Sequence, residues 1–124
     1  MGLFEIRTEP EVMDWLRSLT PAQLARVDEV AGLLAEEGTG LGMPLSRSLG
    51  DGVWELRIHL HPVEMRVSYW FASADRIVML TVFRKTRDNE RLQVLRAKEA
   101  RKLCVANHDI DKVVDVIDTS KEVR

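Results

Sequence analysis

Arginines recur where strand alternation would bring them to one side of a sheet. Arg57, Arg66 and Arg84 lie in three successive segments of alternating apolar and polar residues, with Lys85 and Arg87 just beyond the third. Successive side chains of a strand point to opposite faces, so the alternation predicts that the three arginines share a face. Guanidinium groups match phosphate oxygens, and a convergent set can stabilise the charge that develops when a phosphodiester is attacked. The same alternation is equally compatible with an ion pair between Arg57 and Glu55 or Glu64 while the other arginines are solvated.

Two more side chains on that predicted face have chemistry that a phosphate site could use. His59 can exchange protons near neutral pH, although it lies near a strand end. Trp70 offers a flat ring on which a base could stack, and coverage of that ring by a C-terminal helix is the alternative. His59 and His61 have no third ligand nearby and Pro62 follows them, so neither a metal site nor a cofactor is expected.

The helices and strands that would position these residues can be read from caps and periodicity. Thr20 and Pro21, with Gln23 three residues later, predict a helix start, and Gly38 predicts its end. An earlier helix is expected after Thr8, where Glu11 follows at capping-box spacing. Strands are predicted at 3–7, 53–59, 64–72 and 76–84, and a last helix at 88–106.

This order, β-α-α-β-β-β-α, predicts an α+β domain. Two N-terminal helices should pack on one face of an antiparallel sheet, and the C-terminal helix should partly cover the other face. The predicted helix-covered face comprises Trp54, Leu56, Ile58, Met65, Val67, Tyr69, Phe71, Ile77, Met79 and Phe83. The other face should carry the arginines, with Val78, Leu80 and Val82 lying beneath Leu92, Leu95 and Leu103 of the last helix. We expect a domain at 1–107 and a short extension at 108–124, where Ile110, Val113, Val114 and Ile117 have helical spacing after a cap at Asp109.

Composition favours one globular domain and excludes several classes of protein. The 124 residues are 45% hydrophobic and 31% charged, and no run approaches the roughly 18 apolar residues of a membrane span, so a cytoplasmic protein is expected. Cys104 is the only cysteine, which excludes an internal disulfide and suggests a buried thiol. Residues 1–40 carry eight acidic and three basic side chains, whereas residues 84–102 carry eight basic and three acidic ones. With a pI near 5.9, any RNA should arrive on a larger partner.

Four sequence runs resemble the phage-derived, HigB-like branch of the RelE/ParE toxin superfamily. They are Leu-Gly-Asp-Gly-Val-Trp-Glu-Leu-Arg at 49–57, Arg-Val-Ser-Tyr-Trp-Phe at 66–71, Arg-Ile-Val-Met-Leu at 76–80 and Phe-Arg-Lys-Thr at 83–86. The resemblance runs from about residue 4 to residue 103. It depends on the combination of these motifs at this spacing, since each alone is weak.

The resemblance implies a type II toxin that enters the ribosome and cleaves translated mRNA, held inactive by a helix-turn-helix, HigA-like antitoxin that also mediates contact with operator DNA. It implies that Arg57 and Arg66 polarise the scissile phosphate, that Arg84 stabilises the transition state, and that Lys85 helps bind the RNA backbone. Arg87 and Trp70 are further candidates for RNA contact. Relatives often place a tyrosine, histidine or aspartate near the carboxyl end, whereas this chain has no tyrosine after Thr86. The acid–base group is therefore open, with His59 the first candidate and Glu55 or Asp88 the weaker ones.

Two other functions share this fold. A relative of the ParE type would poison DNA gyrase through a protein interaction, and a degenerate member would act with its antitoxin as a non-catalytic, DNA-binding repressor. The arginines favour RNA cleavage, while the absent C-terminal tyrosine keeps the repressor alternative open.

Overall fold

The computed structural model describes residues 3–107. Its elements in chain order are β1 (Glu5–Thr8), α1 (Pro10–Arg17), α2 (Pro21–Glu37), a 3₁₀ turn (Gly38–Gly40), β2 (Ser46–Gly50), β3 (Val53–His59), β4 (Glu64–Ser73), β5 (Arg76–Arg84) and α3 (Glu90–Asn107). The predicted extension at 108–124, including its helical pattern, lies outside the described residues. None of the described helices is long and apolar enough to cross a bilayer.

The five strands form one sheet in the order β1-β5-β4-β3-β2. β2 to β5 are an antiparallel meander, and β1 pairs in parallel with β5. The α+β class, the two N-terminal helices on one face and the C-terminal helix on the other are confirmed. The sheet is mixed rather than wholly antiparallel, and the sequence pattern missed β2, because Ser46–Gly50 has a single large apolar residue and no alternation.

The helix starts differ in how well their caps were predicted. Thr20 caps α2 with a reciprocal capping box to Gln23, and α2 ends at Gly38, whose φ is 55°; both features were predicted. The predicted capping box of Thr8 and Glu11 is wrong. α1 begins at Pro10 without a side-chain cap, and the Glu11 carboxylate instead accepts the Val82 backbone N–H at 2.9 Å.

The main core lies between the sheet and the two N-terminal helices. α1 contributes Val12 and α2 contributes Val27, Val30 and Leu34, all packed against the apolar face of β3, β4 and β5. This is the helix-covered face that alternation predicted, with one exception. Phe83 lies opposite Arg66 on the other face.

A β-bulge in β5 explains the exception. Ser68 pairs with Thr81 and Tyr69 pairs with Met79, so Leu80 is an extra residue in β5. One extra residue reverses the facing of every later side chain in the strand. Val82 therefore joins the main core instead of the α3 face, and Phe83 leaves that core.

The second core, beneath α3, is small. Val78 and Leu80 pack with Cys104, Ala100 and Trp70. The prediction that leucines of this helix cover the sheet is wrong, since Leu92, Leu95 and Leu103 are 71%, 55% and 51% exposed. Small side chains at Ala97, Ala100 and Cys104 instead face the protein, which lets the helix backbone lie close over the broad Trp70 ring.

Candidate phosphate-binding site

Three arginines converge on one buried carboxylate in the middle of the α3 face. Oε2 of Glu55 accepts from Arg47 Nε at 3.1 Å, from Arg57 Nε at 3.3 Å and from Arg66 Nη1 at 2.8 Å. The Glu55 side chain is 1% exposed. We call Arg47, Arg57, Arg66 and Glu55 the arginine cluster.

Strand register explains this convergence. Arg47 is the cross-strand partner of Glu55, and Arg57 is the partner of Arg66, so β2, β3 and β4 each supply a residue at adjacent positions of one face. Three permanent positive charges meet one carboxylate within the cluster, and the neighbouring carboxylates of Glu64 and Glu90 offset the remaining charge. Arg66 is almost fully buried at 8% exposure, whereas Arg57 and Arg47 are 23% and 34% exposed and form its accessible edge.

The start of α3 adds a second carboxylate to this edge. Glu90 forms an ion pair with Nη2 of Arg47, and Lys85 Nζ lies 3.7 Å from its other oxygen. The hydrogen bond from Arg47 lowers the pKa of Glu90, and the positive charges of Arg47 and Lys85 act in the same direction. The predicted residue Lys85 thus lies at the same end of the face as the cluster, connected to it through Glu90.

His59 extends the same face toward the end of β3. It is two residues beyond Arg57 on the same strand, a separation of about 7 Å, and its cross-strand partner is Glu64. Nδ1 of His59 is 3.8 Å from Glu64 Oε1, and its Nε2 is 3.3 Å from His61 Nδ1. Glu64 also pairs with Arg66 at 3.3 Å, so it links the exposed imidazole to the cluster. Across residues 3–107, no three His, Cys, Asp or Glu side chains are grouped so that they could hold a metal ion.

The prediction that Arg84 shares this face is wrong. The β5 bulge places Arg84 opposite Met65, on the side of the sheet that bears the main core, where it is exposed at the strand end. Its backbone carbonyl accepts from Asn89 Nδ2 at 3.0 Å, which closes the loop into α3. Arg87 lies in this loop and is exposed.

Trp70 lies beneath α3 and not on an open surface. The Arg101 guanidinium carbon is 4.8 Å from the centre of its ring, which is cation–π distance, and occupies one side of the ring. Cys104 is buried beside it, and burial, with a contribution from Glu9, raises the pKa of its thiol to about 12. The prediction of a buried thiol is confirmed. Of the two interpretations of Trp70, a stacking platform for a base and a ring covered by the last helix, the structure shows the second.

Sequence reasoning missed Arg47 and underrated Glu55. Arg47 was not predicted as a site residue because its strand lacks the alternation of apolar and polar residues that marks a strand. Glu55 was considered as a pairing partner of Arg57 and as a weaker candidate for the acid–base group, yet it binds three arginines. The available signal was the Trp-Glu-Leu-Arg run at 54–57, in which an acidic residue and an arginine share a face at a spacing of two.

The mixed five-stranded sheet, with two N-terminal helices on one face and a C-terminal helix on the other, is a RelE-like fold. The chain is similar to a solved structure of the E. coli toxin RelE, an arginine-to-alanine double mutant in the free state. The TM-score is 0.57 at 12% identity, covering 82% of this chain and 98% of that chain. That identity establishes the fold alone.

The family follows from a second comparison. A family model described as Phage derived protein Gp49-like (DUF891) matches residues 14–106, and the chain belongs to this family. Family and fold together confirm the predicted resemblance to the RelE/ParE superfamily. No curated protein matches the chain significantly.

Proposed function

We propose that this protein is the toxin of a type II toxin–antitoxin system and cleaves mRNA on the ribosome without a metal ion or cofactor. The observation that carries the proposal is the arginine cluster, in which three guanidinium groups are held on one carboxylate beside an exposed histidine. A buried carboxylate fixes the arginines in place before RNA binds, and such preorganisation is what charge stabilisation in a transition state requires.

In the proposed reaction the 2′-hydroxyl oxygen attacks the adjacent phosphorus, and the bond from phosphorus to the 5′ oxygen breaks. His59, in its neutral form, accepts the proton of the 2′-hydroxyl, while the leaving 5′ oxygen takes a proton from water. Arg57 and Arg66 stabilise the extra negative charge on the phosphate oxygens, with Arg47 added to this set. The products are a 2′,3′-cyclic phosphate and a 5′-hydroxyl.

The positions of the other candidates change their proposed roles. Arg84 lies on the opposite side of the sheet from the cluster, so we assign it to the RNA or ribosome backbone together with Lys85 and Arg87. Trp70 is covered by α3, which favours a structural role over base stacking.

The proposed partners follow from charge. Residues 84–102 form a basic segment next to the cluster. This segment suits contact with ribosomal RNA when the toxin cleaves mRNA. It also suits contact with an acidic region of a helix-turn-helix, HigA-like antitoxin when the toxin is inhibited. Contact with operator DNA is proposed only through that antitoxin. Action on translating ribosomes places the protein in the cytoplasm.

Inducible expression in a bacterium, with mapping of mRNA 5′ ends, tests the function. Wild type should produce new in-frame cuts in coding regions, and Arg57→Ala should reduce them at least about 100-fold, the usual effect of removing a transition-state donor. Arg57 suits this test better than Arg66, because breaking the more buried Arg66 ion pairs risks unfolding. Arg26→Ala, on the exposed side of α2, is the matched control.

Each other outcome points to a different function. Growth arrest and a DNA-damage response without mRNA cuts would favour gyrase poisoning. No arrest, with antitoxin and operator binding retained, would favour the non-catalytic repressor. Equal cleavage by Arg57→Ala and Arg26→Ala would contradict the proposed site while leaving nuclease function possible elsewhere.

A further inference from the structure

β1 is an edge strand, and in the described part of the chain no other strand pairs with its outer side. The strand order places it beside β5 alone. The backbone N–H groups of Glu5 and Glu9 donate to carbonyl oxygens of the turn before β5 and of β5 itself, at 2.8 and 2.9 Å. Backbone groups alternate in direction along a strand, so Ile6 and Thr8 direct theirs to the outer edge. An edge of this kind can accept a further strand.

An apolar groove of about 450 Å³ lies between β1 and the two N-terminal helices. All four residues of β1 line it, which places it along the strand. From the helices it is lined by Leu16 of α1 and by Leu24, Ala31 and Gly32 of α2. A Cβ atom at Gly32 would meet no other atom within 4 Å, so part of this space is unfilled. Ligand pockets commonly measure roughly 300–1,000 Å³, and this groove is within that range.

One carboxylate that lines the groove has no counter-ion within residues 3–107. Asp28 is exposed and forms no ion pair there. The other carboxylate, that of Glu5, is paired with Arg7 at 2.6 Å and with Arg76 at 3.6 Å. Asp28 is therefore the charge available to a ligand, and it favours a basic side chain. A second copy paired edge to edge would instead bring two Asp28 carboxylates to one interface.

We propose that this groove binds an extended segment of a partner protein, which adds to β1 as a further strand. Its alternate apolar side chains lie in the groove, and a lysine or arginine lies beside Asp28. Main-chain hydrogen bonds to Ile6 and Thr8 supply affinity, and the groove selects the side chains. Because β1 has only four residues, the ladder is short and apolar burial must supply the rest.

The groove is separate from the arginine cluster. Arg57 is on β3, three strand positions from β1, which corresponds to about 14 Å. The helices that line the groove are also on the opposite face of the sheet from the cluster. Binding at this edge therefore does not depend on the proposed cleavage of RNA.

Amide hydrogen exchange in the full chain, followed by NMR, tests for strand addition with the heptapeptide Thr-Val-Thr-Val-Thr-Lys-Thr as probe. In an extended conformation its two valines and its lysine share one face. Saturating probe should slow exchange at the Ile6 and Thr8 amides by at least about tenfold, because these amides become hydrogen-bonded. The amides of Glu5 and Glu9 are already bonded toward β5 and should change little.

Charge reversal tests the basic side chain of the ligand. Asp28→Lys should weaken binding of the probe by at least about tenfold, since it replaces an attraction with a repulsion. Glu29→Lys makes the same change in net charge at an exposed neighbour that does not line the groove, and it should leave affinity close to wild type. Equal effects of the two substitutions would contradict contact with Asp28.

Backbone methylation of the probe tests the hydrogen-bond ladder. Successive amides of an extended peptide point to opposite edges, so only one alternating set can face β1. Methylating that set should weaken binding by at least about tenfold relative to methylating the other set. Equal affinity of the two methylated probes would overturn the proposal, as would absence of protection at millimolar probe.

Two outcomes without probe would also overturn it. Protection of Ile6 and Thr8 that rises with protein concentration would assign the edge to a second copy. Protection already complete in dilute protein would assign it to another part of the same chain.

Discussion

At the scale of single residues, Glu55 determines whether the arginine cluster can exist. Its carboxylate is buried and binds three guanidinium groups, so replacing it would leave like charges close together with little solvent screening. We expect Glu55→Gln to lower the free energy of unfolding by about 3 kcal/mol, the usual effect of breaking a buried ion pair. Urea denaturation measures this. Glu29→Gln, which breaks an exposed pair with Arg26, should change stability by less than about 1 kcal/mol, and equal effects of the two substitutions would contradict the role of Glu55.

Tyr69 gives a second prediction, because it is the only tyrosine in the sequence. Burial raises its pKa, opposed in part by the hydrogen bond with Ser46 Oγ at 2.5 Å. A raised pKa means that the folded state holds the phenol proton more tightly than the unfolded state. This contribution to stability is fully present below pH 10, the ordinary pKa, and is lost as pH rises through the folded pKa.

Ultraviolet absorbance of the phenolate reports this titration. Its midpoint should lie above the ordinary value and coincide with loss of structure by circular dichroism, and it should return to the ordinary value in urea. Tyr69→Phe should remove the signal. An ordinary midpoint in a protein that stays folded would show that the phenol is not shielded.

The predictability of the site also differs residue by residue. Arg57, His59 and Arg66 were predicted to share a face because β3 and β4 alternate without interruption up to that point. Arg47 could not be predicted, since its strand is defined by pairing with β3 and not by its own pattern. Strand pairing is a long-range property, and alternation is a local one.

At the scale of elements, the bulge in β5 decides which arginines can act together. Leu80 shifts the register, so Arg84 leaves the face that carries Arg57 and Arg66. Turn residues mark hairpins in a sequence, but a bulge in the middle of an apolar strand leaves no such mark. The faces before the bulge were therefore predicted correctly and those after it were not.

The bulge leads to a functional prediction. In single-turnover cleavage on mRNA-programmed ribosomes, Arg57→Ala should lose about 100-fold or more in rate. Arg84→Ala should lose less than about tenfold, equivalent to about 1.4 kcal/mol, because the role proposed for Arg84 is contact with the RNA or ribosome backbone and not with the reacting phosphate. A larger loss for Arg84→Ala than for Arg57→Ala would place the reacting phosphate on the other side of the sheet.

α3 lies close to the sheet because its inner residues are small. Ala97 is 2% exposed, so Ala97→Leu should overpack this contact and cost about 1–3 kcal/mol. Ala25→Leu makes the same change at an exposed position of α2 and should stay within about 0.5 kcal/mol of wild type. Chemical denaturation distinguishes them. Similar stability of both variants would show that α3 can move away from the sheet without loss, in which case it does not hold Glu90 firmly against Arg47.

At the scale of the whole molecule, the distribution of charge matters more than the total. The chain has a formal net charge of −2, yet residues 1–40 carry eight acidic and three basic side chains and residues 84–102 carry eight basic and three acidic ones. In the fold, the basic segment follows β5 and forms much of α3, next to the arginine cluster. Residues 1–40 supply the two helices on the opposite face, so under the proposed function we expect weak long-range attraction to RNA and stronger local attraction at the arginine cluster.

This distribution of charge predicts that RNA binding weakens as salt rises. Only basic residues on the side of the arginine cluster should contribute to that dependence. Affinity for a short single-stranded RNA with a 2′-deoxy substitution at the cleavage position should fall as salt rises, and fluorescence anisotropy at several salt concentrations gives the slope of log affinity against log salt. Each phosphate contact contributes about −0.7 to that slope for single strands. Arg57→Ala should therefore make it shallower by about 0.7, whereas Arg26→Ala should leave it unchanged. A slope unaffected by Arg57→Ala would mean that the arginine cluster does not touch phosphate and that its buried carboxylate serves folding alone.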